Sequence, residues 1–284
     1  MEPTSHFVEA NGLRIHYLEW PGQGPPMVMV HPTGFLGRIW APYADQLAPR
    51  YRVVAVDTRG HGDSSKPESG YGWDQQASDL EAIMDALGLR AALGVGHSAG
   101  ATAIALAAAA RPELFAKAVL IDPIISPRGE TPATDAQPPR PNIAEATKKR
   151  RAIWDSRQQI YESFSPRFPF KDWRPEFLWA YINHGTRDLP AGQVELKCPP
   201  HLEAQMYTQN PGFDHFLHLR QVACPVLLLR GALTDRFPRA VAQRMEREMP
   251  HCRWVDVAGA SHFVPMEKPD EVTALLLGFF QGAS

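Results

Sequence analysis

The stretch Gly96-His97-Ser98-Ala99-Gly100 decides the fold class, because it lies between an apolar run, Leu93–Val95, and a helical run, Ala99–Ala110. It is a Gly-x-Ser-x-Gly pattern in a strand–turn–helix setting. A serine on such a sharp turn needs small neighbours, and the two glycines allow the strand and the helix to approach closely. The N–H groups at the start of the helix point towards negative charge that develops nearby. We therefore predict that Ser98 is a nucleophile.

A competing pattern overlaps this motif. Gly94-Val-Gly96-His-Ser-Ala99 fits the dinucleotide fingerprint Gly-x-Gly-x-x-Ala, which also stands between a strand and a helix. Here it follows the fourth predicted strand rather than opening a first βαβ unit, and it leaves distant residues without a role. We therefore predict no organic cofactor.

The chain around the motif alternates between strand and helix patterns. Five further apolar runs end in turn residues: Met27–Val30, Val53–Val56, Val119–Ile121, Val226–Leu229 and Arg253–Val257. Uninterrupted apolar strands belong to a sheet that is buried on both faces. Four further helical patterns alternate with them: Trp40–Leu47, Asp74–Leu87, Arg239–Glu248 and Asp270–Phe280. Asn11-Gly12 predicts a hairpin between Phe7–Glu9 and Leu13–Leu18. These patterns predict an α/β fold with a mostly parallel sheet.

The alternation fails after Asp122 and returns at Val226. We predict a core formed by residues 1–123 and 218–284, and a mainly helical cap inserted at residues 124–217. The insertion begins with a proline-rich stretch, Pro127 to Pro141, which cannot form regular helix or central strand. A helical pattern, Ile143–Ser163, follows, and its basic run Lys148–Arg151 is interpreted as a solvated face.

Aromatic residues are abundant in the insertion, and they have two possible uses. They can form the small core of a cap, or some can face an apolar substrate pocket between cap and core. The sequence does not separate the two groups. The predicted pocket residues are Phe35, Trp154, Phe164, Trp179 and Phe263.

Composition limits the partners. The formal net charge is −2 and the N-terminus has neither a basic start nor an apolar stretch, which predicts no nucleic-acid partner, no membrane and no secretory signal. Three widely spaced cysteines fit reduced thiols in a cytoplasmic protein, and none has the paired spacing of a metal site. We expect a small-molecule substrate, no metal, and a monomer or homodimer.

Two later positions complete a nucleophile–acid–base order. Asp235 follows the apolar run Val226–Leu229, and His262 lies in a loop after the last predicted strand. In this order they predict a carboxylate that orients a general base, which in turn activates Ser98. Asp122 also ends a predicted strand and is the alternative acid. Replacement of each aspartate by asparagine would distinguish them.

The sequence resembles lidded α/β-hydrolases over roughly residues 7–123 and 220–281. The resemblance is carried by these stretches: Pro26–Phe35, Asp57–Ser64, the Ser98 motif, Gly231–Asp235 and the His262 loop. It implies a mostly parallel sheet of about eight strands with a helical cap. It also implies an oxyanion hole formed by the N–H groups of Thr33 and Ala99. Pro32 departs from the family's usual His-Gly-x pattern, but the expected donor, Thr33, keeps its N–H.

The residues and the resemblance together predict a serine hydrolase that cleaves a carboxylic ester of a small or medium-sized apolar or aromatic substrate through an acyl-enzyme. A serine nucleophile excludes the aspartate-dependent epoxide hydrolases and haloalkane dehalogenases of this fold. Hydrolases of C–C, lactone or amide bonds, and perhydrolases, use the same three residues and stay possible. A ligand receptor with little turnover is the alternative from another class.

Overall fold

A computed structural model describes residues 1–126, 142–208 and 212–282. Its strands are β1 (Thr4–Ala10), β2 (Leu13–Trp20), β3 (Pro26–Val30), β4 (Arg52–Val56), β5 (Ala92–His97), β6 (Phe115–Ile121), β7 (Ile153–Trp154), β8 (Thr186–Asp188), β9 (Val194–Leu196), β10 (Val226–Gly231) and β11 (Cys252–Val257). The proline-rich stretch from 127 to 141 lies outside the described residues.

Eight of these strands form one twisted sheet in the order β1-β2-β4-β3-β5-β6-β10-β11. The pairs from β4 to β11 are parallel, and only β1 and β2 run antiparallel to their neighbours. The predicted α/β fold with a mostly parallel eight-stranded sheet is therefore confirmed. Because the central strands are parallel, their carboxyl ends meet at one edge, where loops from different parts of the chain come together.

Helices cover both faces of this sheet. The α-helices of the described residues are α1 (Ala41–Leu47), α2 (Trp73–Ala86), α3 (Ala99–Ala110), α4 (Ile143–Lys148), α5 (Arg157–Phe164), α6 (Pro175–His184), α7 (Pro200–Met206), α8 (Phe216–Leu219), α9 (Arg239–Glu248), α10 (Val264–Glu267) and α11 (Pro269–Gln281), of which α4 to α8 belong to the segment between β6 and β10. Two hydrophobic clusters fill the space between helices and sheet, one on each face. Helix α3 is buried on all sides from Ala99 to Ala109, which explains why its sequence is apolar all round.

The chain between β6 and β10 lies outside the large sheet. Its described part contains helices α4 to α8 and a small sheet in the order β7-β9-β8. The prediction of a single helix over Ile143–Ser163 is wrong. Helix α4 ends at Lys148, and Trp154 in β7 pairs with Val194 before α5 begins. Ser156 then caps α5 by accepting the Gln159 N–H. No helix in the described ranges is long and apolar enough to cross a membrane.

Candidate active site

Ser98 lies on a strained turn between β5 and α3. Its φ of 55° and ψ of −119° belong to a region that residues with a side chain rarely adopt. A Cβ atom at Gly96 would lie 2.6 Å from the Ala101 backbone, and one at Gly100 would lie 2.2 Å from the Val30 carbonyl oxygen. The two glycines are therefore required by the close packing of strand, turn and helix, as the sequence predicted.

Three side chains from distant parts of the chain form a hydrogen-bonded row at the carboxyl edge of the sheet. Ser98 Oγ lies 3.0 Å from His262 Nε2, and His262 Nδ1 lies 2.6 Å from Asp122 Oδ1. All three residues are buried, and Asp122 has no exposed surface. With Nδ1–H donating to the carboxylate, the Nε2 lone pair is directed at the serine hydroxyl. This arrangement can take a proton from the serine and stabilise the imidazolium that results.

The carboxylate in this row is not the one that the sequence favoured. Asp235 has a side chain that is 44% exposed, and it lies 3.4 Å from the guanidinium of its neighbour Arg236. Strand β10 ends at Gly231, and the following turn presents Thr234, rather than Asp235, towards the acid of the row. The prediction that Asp235 orients His262 is therefore wrong, and the alternative, Asp122, occupies that position.

Asp122 is fixed by several partners. Its backbone has a φ of 45° directly after β6, a left-handed conformation that aspartate tolerates better than most residues. Its Oδ2 accepts the Gly231 N–H at 3.0 Å, and its Oδ1 accepts the Thr234 hydroxyl at 2.8 Å. The carboxylate thus accepts hydrogen bonds from both the β10 loop and the histidine loop, which fixes its orientation in the site.

His97, the residue before the nucleophile, was not singled out from the sequence. Its ring has no exposed surface, and its Nε2–H donates to the backbone carbonyl of His262 at 2.8 Å. Burial holds the pKa of His97 well below its usual value, so the ring stays neutral at physiological pH. The motif Gly-x-Ser-x-Gly left this position open, and only the fold shows that its side chain reaches the histidine loop.

The predicted oxyanion donors are Thr33 and Ala99. Thr33 lines the same cavity as Ser98, and Ala99 begins helix α3 directly after it. The loop that carries Thr33 is held by the next residue, because the Gly34 N–H donates to His61 Nε2 at 2.9 Å.

Two buried histidines support this loop. His31 Nδ1 bonds the Pro32 carbonyl at 2.8 Å, and His31 Nε2 accepts the Thr58 N–H at 3.0 Å. Burial lowers the pKa of both His31 and His61, so their accepting nitrogens stay unprotonated at neutral pH. His31 and the loop that carries His61 therefore help to shape the site.

A cavity of about 880 Å³ opens above Ser98 and His262. Phe35 and Phe263, two of the predicted pocket residues, line it. Trp154, Phe164 and Trp179 do not line it, so their assignment to the pocket is wrong. The ring of Trp154 packs edge-on against Phe164 at 5.6 Å, and Trp179 stacks on Tyr161 at 4.5 Å.

The cavity wall also carries charged residues that sequence reasoning missed. Arg150, Glu203 and Arg236 line it together with the aromatic rings. The basic run Lys148–Arg151 was interpreted as a solvated face, but the side chain of Arg150 is only 27% exposed and pairs with the carboxylate of Glu203. The interpretation of Arg150 is therefore wrong. No local signal distinguishes Arg150 from its basic neighbours, because its partner lies 53 residues away.

One group in the described ranges, His16, Asp57 and Asp63, has the ligand types and spacing of a metal site, with its ligand atoms within 4.8 Å of one another. His16 and Asp57 are buried, and hydrogen bonds already account for the buried carboxylate. Asp57 accepts from His16 at 2.7 Å and from the Gly37 N–H at 2.6 Å, and the His16 contact lowers the pKa of Asp57 to about 2 against the opposing effect of burial. Asp57 is an anchor for the loop after β4.

A sequence model described as the Alpha/beta hydrolase family matches residues 27–275. The chain belongs to this family. It is 29% identical over 262 residues to the 2-(acetamidomethylene)succinate hydrolase of Mesorhizobium japonicum. The aligned stretch covers 91% of this chain and 88% of that relative. The crystal structure of E-2-(acetamidomethylene)succinate hydrolase superposes with a TM-score of 0.81 at 25% identity and covers 99% of this chain and all of the other.

A second relative matches a shorter stretch. The chain is 39% identical over 123 residues to the N-formylmaleamate deformylase of Pseudomonas putida, which amounts to 43% of this chain and 46% of that protein. These relatives are hydrolases, which supports a hydrolase for this chain without selecting an ester bond.

Proposed function

We propose that the protein is a serine hydrolase that cleaves the acyl C–N bond of a small amide through an acyl-enzyme. The observation that carries this proposal is the row Ser98–His262–Asp122 at the base of the cavity, with 3.0 Å and 2.6 Å between its polar atoms. An ester, the bond first expected from the sequence, is the second candidate and is tested by the same experiment.

In the proposed mechanism His262 Nε2 accepts the Ser98 proton as Oγ attacks the carbonyl carbon. Asp122 stabilises the resulting imidazolium through Nδ1–H. The N–H groups of Thr33 and Ala99 bind the oxyanion of the tetrahedral intermediate. The imidazolium then gives its proton to the leaving nitrogen, which departs as an amine. Water, deprotonated by the same His262, hydrolyses the acyl-serine and releases the acid.

The choice of an amide rests on the named relatives. Both names denote compounds with an acylated nitrogen, an acetamido group in one and a formylated amide in the other. The alignment with the acetamido hydrolase covers 91% of this chain. It therefore includes Asp122 at the end of β6 and the residues between β6 and β10 that line the cavity. We further propose that residues 124–217 act as a cap over the site, since Arg150 and Glu203 from this segment line the cavity.

The test compares a matched amide and ester, acetanilide and phenyl acetate, in the wild type and in Ser98→Ala. A fluorophosphonate should label the wild type and leave Ser98→Ala unlabelled. Turnover of both substrates should fall by about 10⁶-fold in the variant, because the nucleophile is lost.

The outcomes separate the hypotheses. Hydrolysis of the ester alone would select the second candidate. Rapid labelling without turnover of any acyl substrate would indicate a receptor that retains the site. Absence of labelling in the wild type would overturn the role of Ser98.

A further inference from the structure

The charged residues of the cavity wall have a distinctive arrangement. Among the described residues that line the cavity, Arg150 and Arg236 are cationic and Glu203 is the one carboxylate. Apart from His262, this described part of the lining therefore has an excess of one positive charge. An apolar pocket for a neutral amide has no need of guanidinium groups, because burial of a charge costs free energy unless it is compensated.

Glu203 holds the guanidinium of Arg150 in a fixed orientation. Its carboxylate is only 4% exposed and accepts from both Nη1 and Nη2 of Arg150. The Tyr207 hydroxyl also donates to Glu203, at 3.3 Å. The bidentate pairing and the phenol together fix the position of the Arg150 head group at the wall.

Arg150 has donors beyond those used by Glu203. A guanidinium carries five N–H groups, and the carboxylate takes one from each Nη. The Nε–H is buried and has no partner among the described residues. A fixed arginine that lines a cavity and keeps unused donors is well suited to a second carboxylate, which matches the planar fork of the guanidinium.

We propose that Arg150 binds a carboxylate group of the substrate, so that the enzyme selects anionic acyl compounds. This inference rests on the proposed function and names its substrate class. In this arrangement Glu203 is a positioning residue, since it acts through Arg150. The apolar remainder of the substrate lies against Phe35 and Phe263, which line the cavity beside Ser98.

The test uses two esters that differ in one charge: p-nitrophenyl hydrogen succinate, which is anionic at neutral pH, and its neutral methyl ester, p-nitrophenyl methyl succinate. The wild type should prefer the anionic ester at least about tenfold in kcat/KM. Arg150→Gln should lower this preference by about 10- to 100-fold, mainly through KM, because a charge-assisted bidentate contact is lost. Arg150→Lys should retain part of it.

A matched control is available next to this residue. Arg151 is exposed and pairs with Asp155 at 3.5 Å, so Arg151→Gln removes an equal charge outside the cavity and should leave the preference unchanged. Arg150→Gln leaves a buried carboxylate unpaired, and it could fail to fold for that reason. The double variant Arg150→Gln/Glu203→Gln removes this problem and should show the same loss of preference.

Failure of this inference can be distinguished from failure of the proposed function. Equal turnover of the two esters by the wild type, or an unchanged preference in Arg150→Gln, would overturn the carboxylate site and leave the hydrolase proposal intact. If the wild type turned over neither ester, protection of Ser98 by glutarate against fluorophosphonate labelling would decide. Protection in the wild type and its loss in Arg150→Gln would support the site, and no protection would overturn it.

Discussion

The carboxyl ends of β6 and β10 lie side by side in the sheet, and each is followed by an aspartate, but the two aspartates have opposite environments. Asp122 has no exposed surface and contacts His262 at 2.6 Å, whereas the side chain of Asp235 is 44% exposed and lies beside Arg236. Two adjacent strands thus offer equivalent starting points for a carboxylate. The conformation of the loop that follows each strand decides which one reaches the histidine.

The largest expected effect separates these two aspartates directly. Asp122→Asn should lower kcat by about 10³- to 10⁴-fold, because an amide cannot stabilise the imidazolium and favours the wrong histidine tautomer. Asp235→Asn, the matched control, should change kcat by less than about threefold. Steady-state kinetics with a phenyl ester measures both. The comparison fails if Asp235→Asn is the more damaging change.

A smaller effect is expected at Thr234, which donates to Asp122 Oδ1 at 2.8 Å and accepts the Arg236 N–H at 3.1 Å. Thr234→Val keeps the shape and removes the hydroxyl. We expect kcat to fall by about tenfold with KM nearly unchanged, because one hydrogen bond to the carboxylate is lost. Thr234→Ser should restore most of kcat. A loss of kcat in Thr234→Ser equal to that in Thr234→Val would refute this positioning role.

The smallest effect concerns stability. Asp235→Ala removes an exposed ion pair with Arg236 and should change the free energy of unfolding by no more than about 0.5 kcal/mol. Urea titration monitored by fluorescence gives this value. Asp122→Ala serves as the reference, because it leaves the buried Gly231 N–H and the Thr234 hydroxyl without their acceptor. That change should cost about 1–3 kcal/mol. Equal midpoints for the two variants would contradict the difference in environment.

The sequence was sufficient for the features that depend on local patterns. Apolar runs and turn residues located the sheet strands to within a few residues, and α3 and α9 have the predicted bounds. Ser98 and His262 could be assigned because each stands in a loop after a recognisable strand. The choice between Asp122 and Asp235 could not be made in this way, since both satisfy the same pattern and differ only in how their loops fold back.

The pocket was harder to predict for a different reason. Phe35 and Phe263 adjoin residues of the site along the chain, so their place was accessible from the sequence. Trp154 and Trp179 are chemically similar to them, but their rings pack against Phe164 and Tyr161 instead. Arg150 looked like one member of a solvated basic run because its orientation depends on Glu203, which is distant in sequence and buried. Long-range partners of this kind leave no periodic signal.

The hydrogen bond from His97 to the carbonyl of His262 has a consequence for how the site is connected. His97 precedes Ser98 in the chain, and its side chain donates a hydrogen bond to the backbone carbonyl of His262. The loop of the base is therefore connected to the turn of the nucleophile by a direct hydrogen bond, in addition to its link through Asp122. A substitution at His97 would remove the direct connection and leave the one through Asp122.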